Sequence, residues 1–326
     1  MAKILFVNPN KWGRGITHIW IASHASILKR NGHEVSLFDA SFYLNWSEDE
    51  IRFNTENKQY RPSTYHKSIT YNKEDIFKDL QKKINTFNPD FIFFSAISSH
   101  IHGEGEYVNI QNGYNLLSKL DLKGSKLITG GLQATASPKI IMGEMEGIDI
   151  LIRGESEFVL LELLNKFDMQ EDMLKVRGIA YMKNEELILN DKQQIINNLD
   201  LLAPYDYSMF EDQCFLRPYN GKVIRAVDFE ISRGCIYSCA YCVETVIQDY
   251  YGFKEINKSG AIKNFKSYLR NKSAHVIFEE IKFLSENYLI KLFRFQDTNF
   301  LTIDRSTLVA LADLINNSNL SKVLFL

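Results

Sequence analysis

Apolar residues follow two rhythms along this chain, and their alternation organises its first half. Lys3-Ile-Leu-Phe-Val7 is a short continuous apolar run ending at Asn8-Pro9, which predicts a buried strand. A helical spacing from about His18 to Lys29 stops at Asn31-Gly32, and His33-Glu-Val-Ser-Leu-Phe-Asp39 predicts a second strand. Lys73 to Phe87 carries Ile76, Leu80 and Ile84 on one helical face. Phe91-Ile-Phe-Phe-Ser95 is apolar without alternation, the pattern of a strand buried on both faces. A helix over Tyr107 to Leu120, a strand over Lys126 to Thr129 ending at Gly130-Gly131, a helix after Pro138 and a strand over Ile148 to Ile152 follow. Gly154-Glu-Ser-Glu157 then starts a helix carrying Leu160, Leu161, Leu163 and Leu164, with acidic residues suited to its first turn. This alternation predicts an α/β fold with a doubly wound parallel sheet, whose ligands bind at the carboxyl ends of the strands.

The rhythm breaks between about 175 and 225. Ile179-Ala-Tyr-Met-Lys183 and Glu186-Leu-Ile-Leu189 predict a small hairpin turning at Asn184-Glu185, and Leu199 to Tyr207 reads as a connector. Alternation resumes with Val227 to Ser232 as a strand, a helix over Ala274 to Asn287, a strand over Lys291 to Phe295, a helix over Ser306 to Asn316 and a last strand over Lys322 to Leu326. The domains expected are therefore 1–198, a connector over 199–225, and 226–326. The third segment holds only about three β/α units and ends on an apolar strand that would leave an open edge. A fragment of a longer protein is the expectation.

Composition adds limits. The 326 residues are 45% apolar and 24% charged, ordinary for a globular protein with a core, and the formal net charge is −2. That balance gives no electrostatic case for nucleic acid or an anionic membrane as the main partner. No apolar run is long enough to span a bilayer, and the first residues open a strand rather than a secretion signal, so a cytoplasmic location is expected.

Three of the four cysteines fall in Cys235-Ile-Tyr-Ser-Cys239-Ala-Tyr-Cys242, directly after the turn Arg233-Gly234. Three thiolates at this spacing can hold three irons of a [4Fe–4S] cluster and leave the fourth open. Zinc wants four closed ligands, usually from two Cys-x2-Cys knuckles, and only Cys239-Ala-Tyr-Cys242 makes one. A disulfide framework would leave one of the trio unpaired. Cys214 stands apart and reads as an ordinary packed thiol.

The spacing Cys-x3-Cys-x2-Cys, with Tyr241 before the last cysteine, resembles the radical S-adenosylmethionine enzymes. That resemblance implies a [4Fe–4S] cluster on Cys235, Cys239 and Cys242, with S-adenosylmethionine on the open iron. It implies Tyr241 against the adenine, Gln296 and Asp297 at a strand end near the cofactor's amino group, and a partial (β/α) barrel as the fold. The earlier pieces, Thr129-Gly130-Gly131-Leu-Gln-Ala134-Thr135 with Pro138, then Ile148 to Glu157 and Leu199 to Asp206, are similar in order to the cobalamin-binding module preceding many such barrels. This second resemblance implies Ser95, Gly130, Gly131 and Thr135 beside the corrinoid or its tail. Modules that replace the lower cobalt ligand carry Asp-x-His-x-x-Gly, where this chain reads Asn8-Pro-Asn10-Lys-Trp12-Gly13. Asn10 thus takes the histidine's place, and an amide is a poor cobalt ligand. Cobalamin without a histidine lower ligand is expected, and a degenerate domain that binds no corrinoid is the competing reading. His100 and His102 lie in a loop near the same mouth and read as solvated.

The function these resemblances imply is a cobalamin-dependent methyltransferase acting on an unactivated carbon of a small-molecule or peptide substrate, with flavodoxin or ferredoxin as reductant. Alternatives are a radical S-adenosylmethionine enzyme of another type, such as a methylthiotransferase or rearrangement enzyme, and a zinc-stabilised binding module without catalysis.

Overall fold

The computed structural model describes residues 1–11, 15–47, 64–95, 106–253, 255–320 and 322–326. Trp12, Gly13, His100 and His102 lie outside them. The chain is α/β and divides into two compact units. The first comprises 1–15, 27–62 and 69–195, and the second 16–26, 63–68 and 196–326. The last division of the chain falls at 195/196, and two short early segments join the second unit.

In the first unit, strands β1 (Lys3–Asn8), β2 (Glu34–Asp39), β3 (Phe91–Ser95), β4 (Lys126–Gly130) and β5 (Ile150–Ile152) are mutually parallel. They lie in the order β2-β1-β3-β4-β5, an order shared with doubly wound sheets. The Asn184-Glu185 hairpin, β6 (Ile179–Lys183) with β7 (Glu186–Leu189), extends this sheet antiparallel from β5, so it is mixed and seven-stranded. Both turn residues have positive φ, 51° and 65°, as a two-residue hairpin of matching twist requires.

The run Phe91 to Phe94 is buried throughout because the sheet is covered on both faces. Ile92 and Phe94 pack into a core with Leu5, Val7, Ile110 and Leu151, while Phe93 meets Phe6 edge-on at 6.0 Å between centroids on the opposite face. Helix α1 (Ile19–Arg30) follows β1 in sequence. Helix α2 (Ile76–Phe87) buries Ile76, Leu80 and Ile84, the stripe its periodicity marks, and Asp75 caps it by accepting from the Lys78 amide. Helices α3 (Glu106–Leu117), α4 (Leu132–Ala136), α5 (Pro138–Glu144) and α6 (Glu157–Asp168) complete the connections.

The second unit holds a four-stranded sheet in the order β13-β12-β9-β8. Strands β8 (Leu216–Tyr219) and β9 (Lys222–Phe229) form a hairpin turning at Asn220-Gly221, a feature absent from the sequence reading, which left the stretch before 226 as connector. Pro218 breaks the apolar pattern there and is tolerated because β8 is an edge strand. β12 (Leu292–Phe295) and β13 (Leu324–Phe325) run parallel to β9. A two-stranded pair, β10 (Ser232–Arg233) with β11 (Arg270–Asn271), follows the end of β9. Helices α7 (Glu244–Tyr251), α8 (Ala274–Asn287) and α9 (Arg305–Asn316) belong to the same unit. Sequence periodicity locates α8 to the residue and misses α7.

A buried ion pair anchors α8. The Lys272 ammonium is fully buried, bonded at 2.7 Å to Glu280 Oε2 and seated 3.6 Å from the Tyr205 ring centroid. Glu280 Oε1 accepts the Tyr205 amide at 2.8 Å, so both carboxylate oxygens are used. Removing one partner strands the other charge in the interior. Glu280→Ala is expected to destabilise the second unit by about 3–5 kcal/mol, whereas Lys272→Met with Glu280→Gln, which removes both charges and keeps an acceptor for the Tyr205 amide, should cost much less. Denaturant unfolding of both variants checks the contrast.

Candidate functional site

The second unit's site begins at a carboxylate buried in β9. Asp228 is 3% exposed, and each of its oxygens is held. Oδ2 accepts from the Thr17 amide at 3.0 Å, the Thr17 hydroxyl at 3.1 Å and Arg217 Nη2 at 3.1 Å. Oδ1 faces Arg294 Nη1 at 3.1 Å and Gln296 Nε2 at 3.4 Å. Burial works to raise its carboxyl, but Arg217 and Arg294 outweigh that and hold it below the ordinary range. His18 is buried close to Asp228 and Arg217, and burial lowers its imidazole to about 4.

Beyond β9 the backbone is clamped before it enters the cysteine loop. Asp297, at the end of β12, accepts on Oδ1 from the amides of Ile231 and Ser232 and from the Ser232 hydroxyl. Its Oδ2 is buried with no hydrogen-bond partner among the described residues. Burial raises this carboxyl to about 6, with Glu230 adding to the rise against the Ser232 bonds. The backbone then passes Gly234 at φ 97°, where a Cβ would stand 2.5 Å from the Tyr268 carbonyl oxygen. Only glycine fits, because the obstacle is backbone.

The loop itself carries three free thiols, Cys235, Cys239 and Cys242, all half-buried. Cys235 Sγ accepts from the Tyr237 amide and from Asn299 Nδ2, both at 3.5 Å. The Cys242 amide donates to the Cys239 carbonyl at 2.9 Å, closing the Cys-x2-Cys turn. Gln248 on α7 is 1% exposed and donates to the carbonyls of Cys235 at 2.9 Å and Tyr237 at 3.0 Å, fastening the loop from below. No three His, Cys, Asp or Glu side chains among the described residues converge as a ready metal site, so a cluster would have to draw these thiols together. The donor chemistry fits a cluster: three thiols on one loop, one already receiving N–H bonds. Tyr241 is 91% exposed, and a hydrogen bond to Cys239 followed by the charge of that sulfur raises its phenol above the ordinary value. Cys214 is buried away from the trio's loop, in the turn before β8.

The other sequence-marked residues belong to the first unit. Asn8, Asn10 and Ser41 are fully buried at the carboxyl ends of β1 and β2. Asn10 Nδ2 donates to Ser41 Oγ at 2.7 Å, and Ser41 Oγ in turn to Asp39 Oδ1 at 2.6 Å, with Asn8 Nδ2 on the same oxygen at 3.0 Å. Asn8 Oδ1 is left without a partner among the described residues. Ser95 Oγ donates to the Gly130 carbonyl at 3.0 Å, tying β3 to β4. Gly131 has φ 114°, which lets the chain turn from β4 into α4, and Thr135 Oγ1 donates to the Gly131 carbonyl while accepting the Gly154 amide. Ser95, Gly130, Gly131 and Thr135 thus gather at one strand end. Sequence reasoning missed Asn299, Gln248, Thr17, Arg217 and Arg294. Asn299 alone carried a signal, as an asparagine opening a helical turn.

No protein-family model matches the chain. Among curated proteins it is similar to an uncharacterized methyltransferase of Pyrococcus horikoshii, 24% identical over 231 residues, which are 70% of this chain and 44% of that one. The anaerobic magnesium-protoporphyrin IX monomethyl ester cyclase of Rubrivivax gelatinosus is 24% identical over 250 residues, 74% of this chain and 38% of the relative. The chain therefore spans less than half the length of these relatives. Among solved structures it shares the fold of the radical S-adenosylmethionine methyltransferase TsrM from Kitasatospora setae, with TM-score 0.61 and 14% identity over 97% of this chain and 50% of that one. The cobalamin-dependent S-adenosylmethionine radical enzyme OxsB gives TM-score 0.60 and 15% identity over 98% of this chain and 37% of its own.

Two consequences are measurable. Gly234→Ala should lower the stability of the second unit by about 2 kcal/mol or more, and amide exchange at Ser232 and Arg233 should quicken. The pH dependence has two opposing parts. His18 takes up a proton near 6.5 when unfolded but only near 4 when folded, so its stabilisation is complete above 6.5 and lost as pH falls to 4. That loss is about 3 kcal/mol. Asp297 acts oppositely, because its folded value of about 6 lies above 3.8, and its contribution declines as pH rises through 6. Unfolding of His18→Gln between pH 4 and 6.5 should therefore show less acid destabilisation than the parent, or a reversed slope.

Proposed function

We propose that this chain is a radical S-adenosylmethionine enzyme of the cobalamin-dependent kind, acting as a methyltransferase on an unactivated carbon. The observation that carries the reading is the thiol trio on a loop held at the carboxyl end of a parallel strand, with N–H groups already directed at Cys235. The shared fold with TsrM and OxsB supports it. In this reading residues 1–198 form the corrinoid-binding domain, 199–225 the connector and 226–326 the first strands of a (β/α) barrel. When bound, the cluster supplies the electron that splits the C–S bond of S-adenosylmethionine, and cobalamin supplies a methyl carrier.

The chain's own residues then hold and orient. Cys235, Cys239 and Cys242 ligate three irons. Asp297 is ionised at neutral pH, and its unpartnered Oδ2 suits the cofactor's ammonium, with Gln296 beside it. Tyr241 offers a ring to the adenine. Asn10, Ser95, Gly130, Gly131 and Thr135 border the corrinoid tail, with Asn8 Oδ1 as an acceptor awaiting a donor. The substrate is a small molecule or peptide, and the electron comes from a flavodoxin- or ferredoxin-type carrier. No described helix is long and apolar enough to cross a membrane, in keeping with a cytoplasmic enzyme.

A second reading keeps the radical chemistry without the corrinoid. The observation favouring it is Asn10, whose amide nitrogen is committed to Ser41.

Anaerobic reconstitution should load about four irons per chain, and Cys239→Ala should lose most of them. Full iron retention by that variant, or one zinc and no iron in protein purified without oxygen, would overturn the cluster. Hydroxocobalamin should co-elute with the chain, and its absence from the protein peak would favour the second reading. 5′-Deoxyadenosine release then reports cleavage of the cofactor.

A further inference from the structure

The Asn299 side chain has two ends, and the structure uses them differently. Its Oδ1 accepts the Leu301 amide at 3.2 Å, capping the short helical turn Phe300–Thr302. Its Nδ2 donates to Cys235 Sγ at 3.5 Å. The cap therefore decides which end of the amide faces sulfur. With oxygen drawn to the peptide N–H, only the NH2 group can point at the thiol. The Tyr237 amide approaches the same sulfur at 3.5 Å, so Cys235 receives two N–H groups.

We infer that Asn299 is a positioning residue that tunes the reduction potential of the cluster through Cys235, and the inference rests on the cluster reading above. The physical reason is charge. Adding one electron to the cluster, taken from a low-potential one-electron carrier, increases negative charge on the ligating sulfurs. An N–H bond to sulfur is stronger in that reduced state than in the oxidised one. Hydrogen bonds to the sulfurs are among the factors that set cluster potentials. Asn299 comes from the loop after β12, so the cap at Phe300–Thr302 and the electronic state of Cys235 are joined by one side chain.

The two ends allow the roles to be separated. Asn299→Asp keeps an oxygen for the Leu301 amide but replaces the donor by an anion beside sulfur. Asn299→Ser keeps a capping oxygen on a shorter side chain that carries no N–H. The parent and both variants are reconstituted anaerobically, counted for iron, and titrated with dithionite while the reduced cluster is followed by electron paramagnetic resonance. All three should hold the same iron. The midpoint should move to more negative potential in Asn299→Ser and further in Asn299→Asp, the latter by about one tenfold change in the reduction equilibrium, roughly 59 mV for one electron. A residue serving only as a cap would leave the Asn299→Ser midpoint at the parent value, whatever the added anion does in Asn299→Asp, and that result overturns the inference while the cluster stands. Should the parent itself take up no iron, the cluster reading fails and the tuning role falls with it. If Asn299→Asp alone sheds iron, the Asn299→Ser midpoint decides the matter.

Discussion

A buried carboxylate cannot stand alone, and the second unit is arranged around that constraint. Asp228 sits inside β9 with several kcal/mol of lost hydration to offset. It does so by recruiting one guanidinium from β8, another from β12, and both the amide and the hydroxyl of Thr17. Those partners fix which strands lie on either side of β9 and which of their residues face inward. Arg294 stands directly across from Asp228 in the β9–β12 register, so a slip of one residue would expel it. The Asp228 carbonyl is used as well, accepting the Tyr207 hydroxyl at 2.8 Å. The electrostatics and the strand order are one arrangement.

The cysteine loop inherits its position from that arrangement. It leaves the carboxyl end of β9 through a backbone clamped by Asp297, passes the tight contact at Gly234, and is fastened by Gln248 at two carbonyls. All of these hold main chain. The sulfurs are left half-exposed at the top of a braced backbone, so the peptide is fixed and the side chains can adapt.

Much of this was legible because period and burial coincide. The stripe Ile76, Leu80 and Ile84 is the buried face of its helix, and the unbroken run at Phe91 to Phe94 is a strand covered on both sides. The thiol spacing drew attention to the loop that follows β9. Other features were harder to read. The β8–β9 hairpin had a local signal in Asn220-Gly221 at its turn, but Pro218 and the charged Arg217 and Asp228 interrupt the apolar pattern on either side. Arg217 and Arg294 look like surface residues until their partner is known. Helix α7 is short and buries only Gln248, so no buried apolar stripe marks it. Asn299 and Gln248 act through amide groups whose targets lie in distant segments, and a single sequence carries no record of such pairings.

The hydrogen bonds between Thr17 and Asp228 join positions 211 residues apart in one unit. A ribosome delivers Thr17 early and Asp228 late. β1 has already emerged and β2 through β7 follow in between, so the first sheet has its strands long before the second can close around its carboxylate. Closing so long a loop costs entropy that grows only logarithmically with its length, but the wait is set by translation. During that interval the 16–26 segment waits for the rest of its unit, and no single cut in the gene would yield both units whole.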